Sequence, residues 1–84
     1  MIIQEDISPR LVPNPTGGRV AVADYNGVVM EIIVLDMNGR RMAVYSETDS
    51  FDITNMPSGM YIIRVRTKCT DAEERVHYLK LIKK

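Results

Sequence analysis

Apolar and polar residues alternate along much of this 84-residue chain, and clusters of Gly, Pro, Asn and Ser interrupt the alternation at short intervals. Alternation with period two is typical of half-buried β-strands, and no stretch has the 3.6-residue periodicity of an amphipathic helix. The pattern therefore predicts seven short strands, at about 7–12, 19–25, 28–36, 40–45, 51–53, 60–67 and 75–83.

Three of the connections have recognisable turn chemistry. The segment Pro13 to Gly18 has two prolines, which remove hydrogen-bond donors, and two glycines, which permit positive φ, so we predict a stiff turn. Asn26-Gly27 and Asn38-Gly39 are strong signals for hairpins, so we expect the chain to reverse at both and these turns to fix the strand register.

Seven short strands predict two packed antiparallel sheets, because one open sheet of that size would leave an apolar face in water. The predicted fold class is all-β, an immunoglobulin-like antiparallel β-sandwich in one domain, 1–84, whose core covers about 7–84. Residues 1–6 are interpreted as a linker remnant or an artificial start. The strand at 28–36 is the richest in β-branched residues, which predicts a central strand covered on both faces. Predicted core residues are Val22, Ile32, Val34, Ile53, Ile63 and Val65.

The pattern does not decide which face of the last strand points toward the core. Val76, Tyr78 and Ile82 share one face with Lys80, while Leu79 and Leu81 share the other face with His77.

Composition excludes several classes of partner. Eleven basic and eleven acidic residues give a formal net charge of zero, which disfavours nucleic acid and anionic membranes as partners. A single cysteine, Cys69, allows no internal disulfide and none of the paired-cysteine zinc sites. The aspartates are too scattered for a calcium loop, so we predict no metal and no cofactor.

Candidate catalytic chemistry is equally sparse. His77 is the only histidine, and neither it nor Cys69 has a partner at a spacing that indicates a nucleophile and its base. A thin sandwich also has little room for a deep small-molecule pocket. We therefore predict no catalytic residue, no enzyme activity and no small-molecule substrate.

Four stretches occur in an order that resembles the type A C-terminal sorting domain of type IX, or Por-type, secretion cargo. The first is the Pro-Asn-Pro segment at Pro13 to Val20, and the second is an apolar strand with an acidic residue and an Asn-Gly turn at Glu31 to Arg40. The third and most specific runs from Asp52 to Tyr61 and contains Pro-Ser-Gly-x-Tyr, with Met56 where leucine is usual. The fourth is the lysine-rich strand Lys80 to Lys84.

This resemblance implies a non-catalytic signal that directs an N-terminal cargo protein through the outer membrane. The implied partners are the type IX outer-membrane translocon and a sortase-like signal peptidase, which would cleave upstream of about Ile7 and anchor the cargo. The implied location is the periplasm in transit, then the cell surface or the medium. The candidate recognition residues are Gly59, Met60, Tyr61, Lys80, Lys83 and Lys84. The candidate structural turn residues are Pro13, Asn14, Pro15, Gly18, Asn38, Gly39 and Pro57.

Several alternatives stay open on the sequence. The same strands suit an immunoglobulin- or fibronectin-like binding or adhesion module, although five aromatic residues without tryptophan make a poor sugar-stacking surface. Tyr61 is also compatible with a core-edge position whose hydroxyl binds the backbone, with Gly59 preventing a clash. The terminal lysines are compatible with charges that protect an edge strand. A homodimer through an edge strand is a further option.

Overall fold

A computed structural model of the chain describes residues 9–69 and 73–84, which form seven β-strands. The strands are β1 (Arg10–Val12), β2 (Arg19–Ala23), β3 (Val28–Leu35), β4 (Arg41–Ser46), β5 (Ser50–Asp52), β6 (Gly59–Lys68) and β7 (Glu74–Lys83). Every predicted strand is present. The predicted linker at 1–6, and residues 7 and 8 of the first predicted strand, lie outside the described residues.

The strands form two antiparallel sheets, which confirms the predicted all-β sandwich. The three-stranded sheet has the order β1-β2-β5, and the four-stranded sheet has the order β4-β3-β6-β7. Both sheets direct alternate apolar side chains inward, as period-two patterning requires. No helix in the described part of the chain has the length and apolar character to cross a bilayer.

The core lies between the two sheets and includes all six residues predicted for it. Among the described residues, the side chains that pack together there are Leu11, Val20, Val22, Val29, Ile32, Val34, Phe51, Ile53, Tyr61, Ile63, Val65 and Leu81. The structure also shows which face of the last strand points toward the core. Leu81 is fully buried and Leu79 packs against the core, so Val76, Tyr78 and Ile82 point outward.

The two Asn-Gly dipeptides have different outcomes. Asn38-Gly39 closes the β3–β4 hairpin: the Gly39 amide donates to the Asp36 carbonyl at 3.0 Å, and Gly39 has φ of 84°. The chain also reverses at Asn26-Gly27, but the predicted hairpin there is wrong, because β2 and β3 belong to different sheets. A glycine at positive φ only redirects the chain; packing of the apolar faces decides with which strand it pairs.

The central position of β3 is confirmed, since it pairs with both β4 and β6. The prediction that both its faces are covered is wrong for the described residues. Ile32 and Val34 face the core, whereas Ile33 lies on the outer face and is only 3% exposed because Val44 and Arg64 flank it in the same sheet. The outer face of the four-stranded sheet carries no second layer from the described chain.

Candidate functional site

The four stretches that resemble the sorting domain meet at one end of the sandwich. Leu35 of β3 pairs with Ile62 of β6, and Ile62 pairs with Lys80 of β7. The β3–β4 turn, the start of β6 and the end of β7 therefore lie side by side, and the Pro13 segment joins them through Thr16, which bridges to Lys83. We call this region, comprising residues 13–18, 36–40, 52–61 and 80–84, the motif end.

The Pro-Asn-Pro segment binds the outer edge of β7 as an additional short strand would. The Asn14 side chain donates to the Lys80 carbonyl at 2.8 Å and accepts from the Ile82 amide at 3.0 Å. The Thr16 amide donates to the Ile82 carbonyl, and the Lys84 amide donates to the Thr16 carbonyl, both at 2.9 Å. These four hydrogen bonds, which we call the clasp, satisfy groups that an edge strand would leave open.

The clasp limits how much of the β7 edge is available for the predicted homodimer through an edge strand. Both X-Pro bonds of the segment, Val12-Pro13 and Asn14-Pro15, are cis. Because Asn14 and Thr16 occupy the edge of β7 from Lys80 to Lys84, a second strand has access only to the earlier part of β7 unless the clasp opens.

Gly18 has a packing role that differs from the predicted one. It does not use the positive φ that glycine permits. Instead, a Cβ at Gly18 would overlap the Thr54 side chain and come within 3.0 Å of the Thr54 Cα. The Gly18 carbonyl accepts from the Ile53 amide at 2.8 Å, so this contact joins the first and third stretches.

Thr16 is a site residue that the sequence reasoning missed. It is 1% exposed, and its hydroxyl donates to the Arg19 carbonyl at 2.7 Å while accepting from the Gly18 amide at 3.0 Å. A hydroxyl residue placed two positions before a turn glycine is a signal for such a local hydrogen bond.

Tyr61 lies inside the domain rather than on its surface. Its side chain is 5% exposed, and its hydroxyl donates to the Pro57 carbonyl at 2.6 Å. A tyrosine near the start of this strand whose hydroxyl binds the backbone a few residues upstream is the tyrosine corner of immunoglobulin-like domains. The alternative of a core-edge tyrosine with a backbone partner is thereby confirmed. The predicted role of Gly59 in preventing a clash is not found, because no described atom lies within 4 Å of the position that a Cβ would occupy. Glycine is required there by the backbone, whose φ of 148° is rarely adopted by other residues.

The other candidate recognition residues divide by exposure. Met60 is 39% exposed, and Lys80 and Lys84 are also exposed, so these three side chains are accessible at the motif end. Lys83 lies on the inner face opposite Gly59, is 9% exposed, and donates through Nζ to the Lys84 carbonyl at 3.3 Å.

Asp36 organises the β3–β4 turn. Its Oδ1 accepts from the backbone amides of Asn38 and Arg40, both at 2.9 Å, and its other oxygen lies 3.4 Å from the Arg40 guanidinium. The Arg40 amide, assisted by the Asn38 amide and the Arg40 charge, holds the pKa of Asp36 below its usual range.

Asp52 organises the turn after β5 in the same way. Its carboxylate accepts from the Thr54 hydroxyl and from the Thr54 amide, the latter at 2.8 Å. The Thr54 hydroxyl and then the amide hold the pKa of Asp52 below its usual range. Two turns of the motif end thus depend on ionised carboxylates.

We expect the domain to lose stability in acid because of these two turns. A carboxylate whose pKa is lowered by folding contributes stability above its unfolded pKa of about 4, and that contribution disappears as the pH falls through the folded pKa. The melting temperature measured between about pH 7 and about pH 2.5 should therefore fall below about pH 4, and less steeply in Asp36→Asn.

Glu47→Gln is the matched control for loss of a carboxylate, since the Glu47 carboxylate makes no hydrogen bond or ion pair within residues 9–69 and 73–84. Its acid profile should follow that of the unchanged chain. If Asp36→Asn also followed the unchanged profile, the Asp36 turn would not contribute to acid sensitivity.

The chain enters the fold at the end opposite to the motif end. Arg10, the first residue of β1, pairs with Ala23 at the end of β2, whereas Val12 pairs with Ala21 nearer the motif end. That opposite end also holds the β2–β3 connection, the end of β6 at Lys68 and the start of β7 at Glu74. Chain preceding Arg10 therefore joins the domain away from the motif end.

Among the described residues, His77 and Cys69 are the two that the sequence analysis considered for catalysis, and they lie on different elements. His77 is half-buried midway along β7 and pairs with Val65, while Cys69 follows β6. No hydrogen bond connects them among the described residues. No group of three or more His, Cys, Asp or Glu in residues 9–69 and 73–84 is placed to hold a metal ion.

The described chain is a small two-sheet, immunoglobulin-like sandwich with a tyrosine corner, and its turn motifs are collected at one end. A model of the family described as Secretion system C-terminal sorting domain matches residues 10–81, and the chain belongs to that family. No curated protein matches the chain. Membership indicates a type IX secretion sorting signal, attached to a cargo protein and directing export through the outer membrane toward the cell surface or the medium. Domains of this family are in general not catalytic.

Proposed function

We propose that the type IX outer-membrane translocon recognises the folded motif end, and that this surface is the export address of the cargo. The observation that carries the proposal is the convergence of all four sorting-domain stretches at one end, held together by the clasp and the tyrosine corner. Stretches that are distant in sequence and meet in space form one surface only when the domain is folded.

The exposed side chains at this end supply the contact. Met60 offers an apolar side chain, and Lys80 and Lys84 offer positive charge beside it. Apolar contact in the centre with charges at the rim is a common arrangement in protein–protein recognition. Gly59, Tyr61 and Lys83 contribute by fixing the shape of this surface.

The position of the cargo supports the same surface. Because the chain enters at Arg10, at the opposite end, an attached N-terminal cargo leaves the motif end accessible. A sortase-like peptidase acting upstream of about Ile7, during passage from the periplasm to the surface, would then cut away from the translocon contact and anchor the cargo. The domain itself supplies no catalytic group to this reaction.

The alternative of an adhesion module receives less support. All five aromatic residues lie in the described ranges, and only Tyr78 is exposed. Carbohydrate-binding surfaces use several exposed aromatic rings on one face, so a single tyrosine provides no stacking platform.

Secretion of a fusion protein tests the proposed function. Residues 1–84 are placed after a periplasmic signal peptide and a fluorescent reporter, and reporter location is followed in hosts with and without a working type IX translocon. We expect the reporter at the surface or in the medium only when the translocon is present. A folded fusion that remains periplasmic in both hosts would refute the proposal.

A further inference from the structure

The edge strands of the sandwich differ in how they are protected from pairing with another chain. In the described chain, β1 and β5 form the edges of one sheet, and β4 and β7 form those of the other. β1 and β5 have three residues each, the clasp covers β7 from Lys80 to Lys84, and the earlier part of β7 has the charged residues Glu74 and Arg75. Short strands, covering segments and charges are means by which proteins prevent pairing at sheet edges.

β4 is the edge with the least of this protection. Its residues 42–46, Met-Ala-Val-Tyr-Ser, include no charge, proline or glycine. No other segment of residues 9–69 and 73–84 pairs with the side of β4 that faces away from β3. A bulge opposite Val34 and Leu35 interrupts the ladder only at the start of β4. The rest of this edge can add a strand to the sheet.

The hydrogen-bond pattern shows which backbone groups of β4 are free. The Glu47 amide donates to the Met30 carbonyl at 3.0 Å, which continues the β3–β4 register. Hydrogen-bonded and non-hydrogen-bonded pairs alternate in an antiparallel ladder, so alternate residues of β4, counted back from Glu47, direct their N–H and C=O groups toward β3. The residues between them direct theirs away from the sheet: Met42, Val44 and Ser46.

Opposite charges without partners flank this edge. Arg41 precedes the uncharged stretch and Glu47 follows it, and both side chains are exposed. Neither side chain makes an ion pair or a hydrogen bond with the rest of residues 9–69 and 73–84. Both charges are therefore available to a partner strand that has the opposite charges in the reverse order.

We propose that β4 binds β4 of a second copy of this chain, edge to edge and antiparallel, about a two-fold axis at Val44. This axis pairs Val44 with Val44 of the other copy and Met42 with Ser46, so the free N–H and C=O groups of the two edges meet. Each contact occurs twice, as an isologous interface requires. The two four-stranded sheets then form one continuous sheet.

The same register matches the charges and the sizes of the side chains. Arg41 and Glu47 are equally distant from Val44 in sequence, so Arg41 of each copy lies opposite Glu47 of the other. Both side chains are long enough to meet across the bulge at the start of β4. On the inner face, Ala43 lies beside Tyr45 of the other copy, and the small side chain leaves room for the ring. A second copy thus supplies both the backbone groups and the two charges that this edge lacks.

The pairing leaves the cargo and the motif end accessible. β5 lies over β4, since the Tyr45 hydroxyl donates to the Asp52 carbonyl, whereas β1 contacts β7. Chain preceding Arg10 therefore enters on the side of the sandwich away from β4. Because the two copies are antiparallel, their motif ends lie at opposite ends of the dimer.

The small contact area indicates a weak dimer. The shared ladder involves residues 42–46 of each copy, and it buries less than the roughly 1,200 Å² of the smallest standard interfaces. We expect a dissociation constant on the order of 100 μM. The chain is then a monomer in dilute solution, where Glu47 stays unpaired.

A charge exchange between copies tests the proposal. Sedimentation equilibrium should show a mass that rises from 9.5 kDa toward twice that value between about 10 μM and about 1 mM. Arg41→Glu and Glu47→Arg should each weaken association about five- to tenfold, because each places like charges opposite one another at both ends of the ladder. An equal mixture of the two variants should associate again, since their reversed charges then face each other.

The matched control for charge is Lys68→Glu. It changes the net charge by the same amount as Arg41→Glu, but at the end of β6, away from the β4 edge. Its association should equal that of the unchanged chain. Equal weakening by Lys68→Glu and Arg41→Glu would contradict contact at position 41.

Val44→Pro tests the backbone pairing itself. It removes the amide at the centre of the proposed ladder without removing a hydrogen bond inside the domain, because that amide points away from β3. The melting temperature establishes that the variant folds, and we expect it to stay monomeric up to about 1 mM. A monomer at every concentration of the unchanged chain would overturn the proposal. A dimer insensitive to folded Val44→Pro and to both charge reversals would also overturn it and would indicate another contact surface.

Discussion

Tyr61→Ala is expected to remove about 3–5 kcal/mol from the free energy of unfolding, a large part of what a domain of this size possesses. The replacement empties a site that is 5% exposed within the core cluster, and it leaves the Pro57 carbonyl without its partner. Chemical denaturation of the isolated domain measures this loss. A reporter fusion carrying the change should fail to be exported, because the motif end no longer has a fixed shape.

Tyr61→Phe separates the ring from the hydroxyl. It keeps the packing and removes only the hydrogen bond to Pro57, so we expect a loss of about 1–2 kcal/mol and a fusion that folds and is still exported. Export that fails in Tyr61→Phe with the fold intact would contradict this assignment. It would show that the hydroxyl itself contacts the translocon, as the sequence-based set of recognition residues allows.

Gly27→Ala is expected to cost about 2–5 kcal/mol, measured in the same denaturation experiment. Gly27 has φ of 82°, which an L side chain adopts at a cost. A Cβ there would also collide with the backbone carbonyl oxygen of Lys68 and come within 3.1 Å of the Cys69 Cα. Backbone atoms of a neighbouring strand cannot rotate away, so the β2–β3 connection has to shift.

Gly39→Ala is the matched control for the clash. Gly39 has nearly the same φ, 84°, but no atom lies within 4 Å of its Cβ position. The expected loss is therefore only the conformational part, about 1–2 kcal/mol. Equal losses in the two variants would mean that the β2–β3 connection adapts freely to the added methyl group.

These two glycines also show how far local sequence determines this fold. Both follow asparagine, and both adopt the positive φ that the dipeptide predicts. Only one makes a hairpin, because strand pairing depends on where the apolar faces of the whole chain pack. The period-two pattern located the strands and the core because inward positions have to be apolar in any sandwich.

The motif end was only partly predictable. The pattern indicated a turn at Pro13 to Gly18, and the resemblance selected residues around that turn and in the stretch from Asp52 to Tyr61. The clasp was not predictable, because Asn14 and Lys80 are 66 positions apart and no local rule relates them. The burial of Lys83 was not predictable either, because it depends on which face of β7 points toward the core, and the alternation of the sequence did not decide this.

The most direct test of the folded motif end as the export address compares two pairs of charge removals in the reporter fusion. Lys80→Gln with Lys84→Gln changes the motif end, and Lys68→Gln with Arg75→Gln removes the same charge at the opposite end of β6 and β7. Melting temperatures establish that both variants fold. Our account predicts that export falls severalfold in the first pair and is unchanged in the second. Equal export of the two folded variants would contradict it.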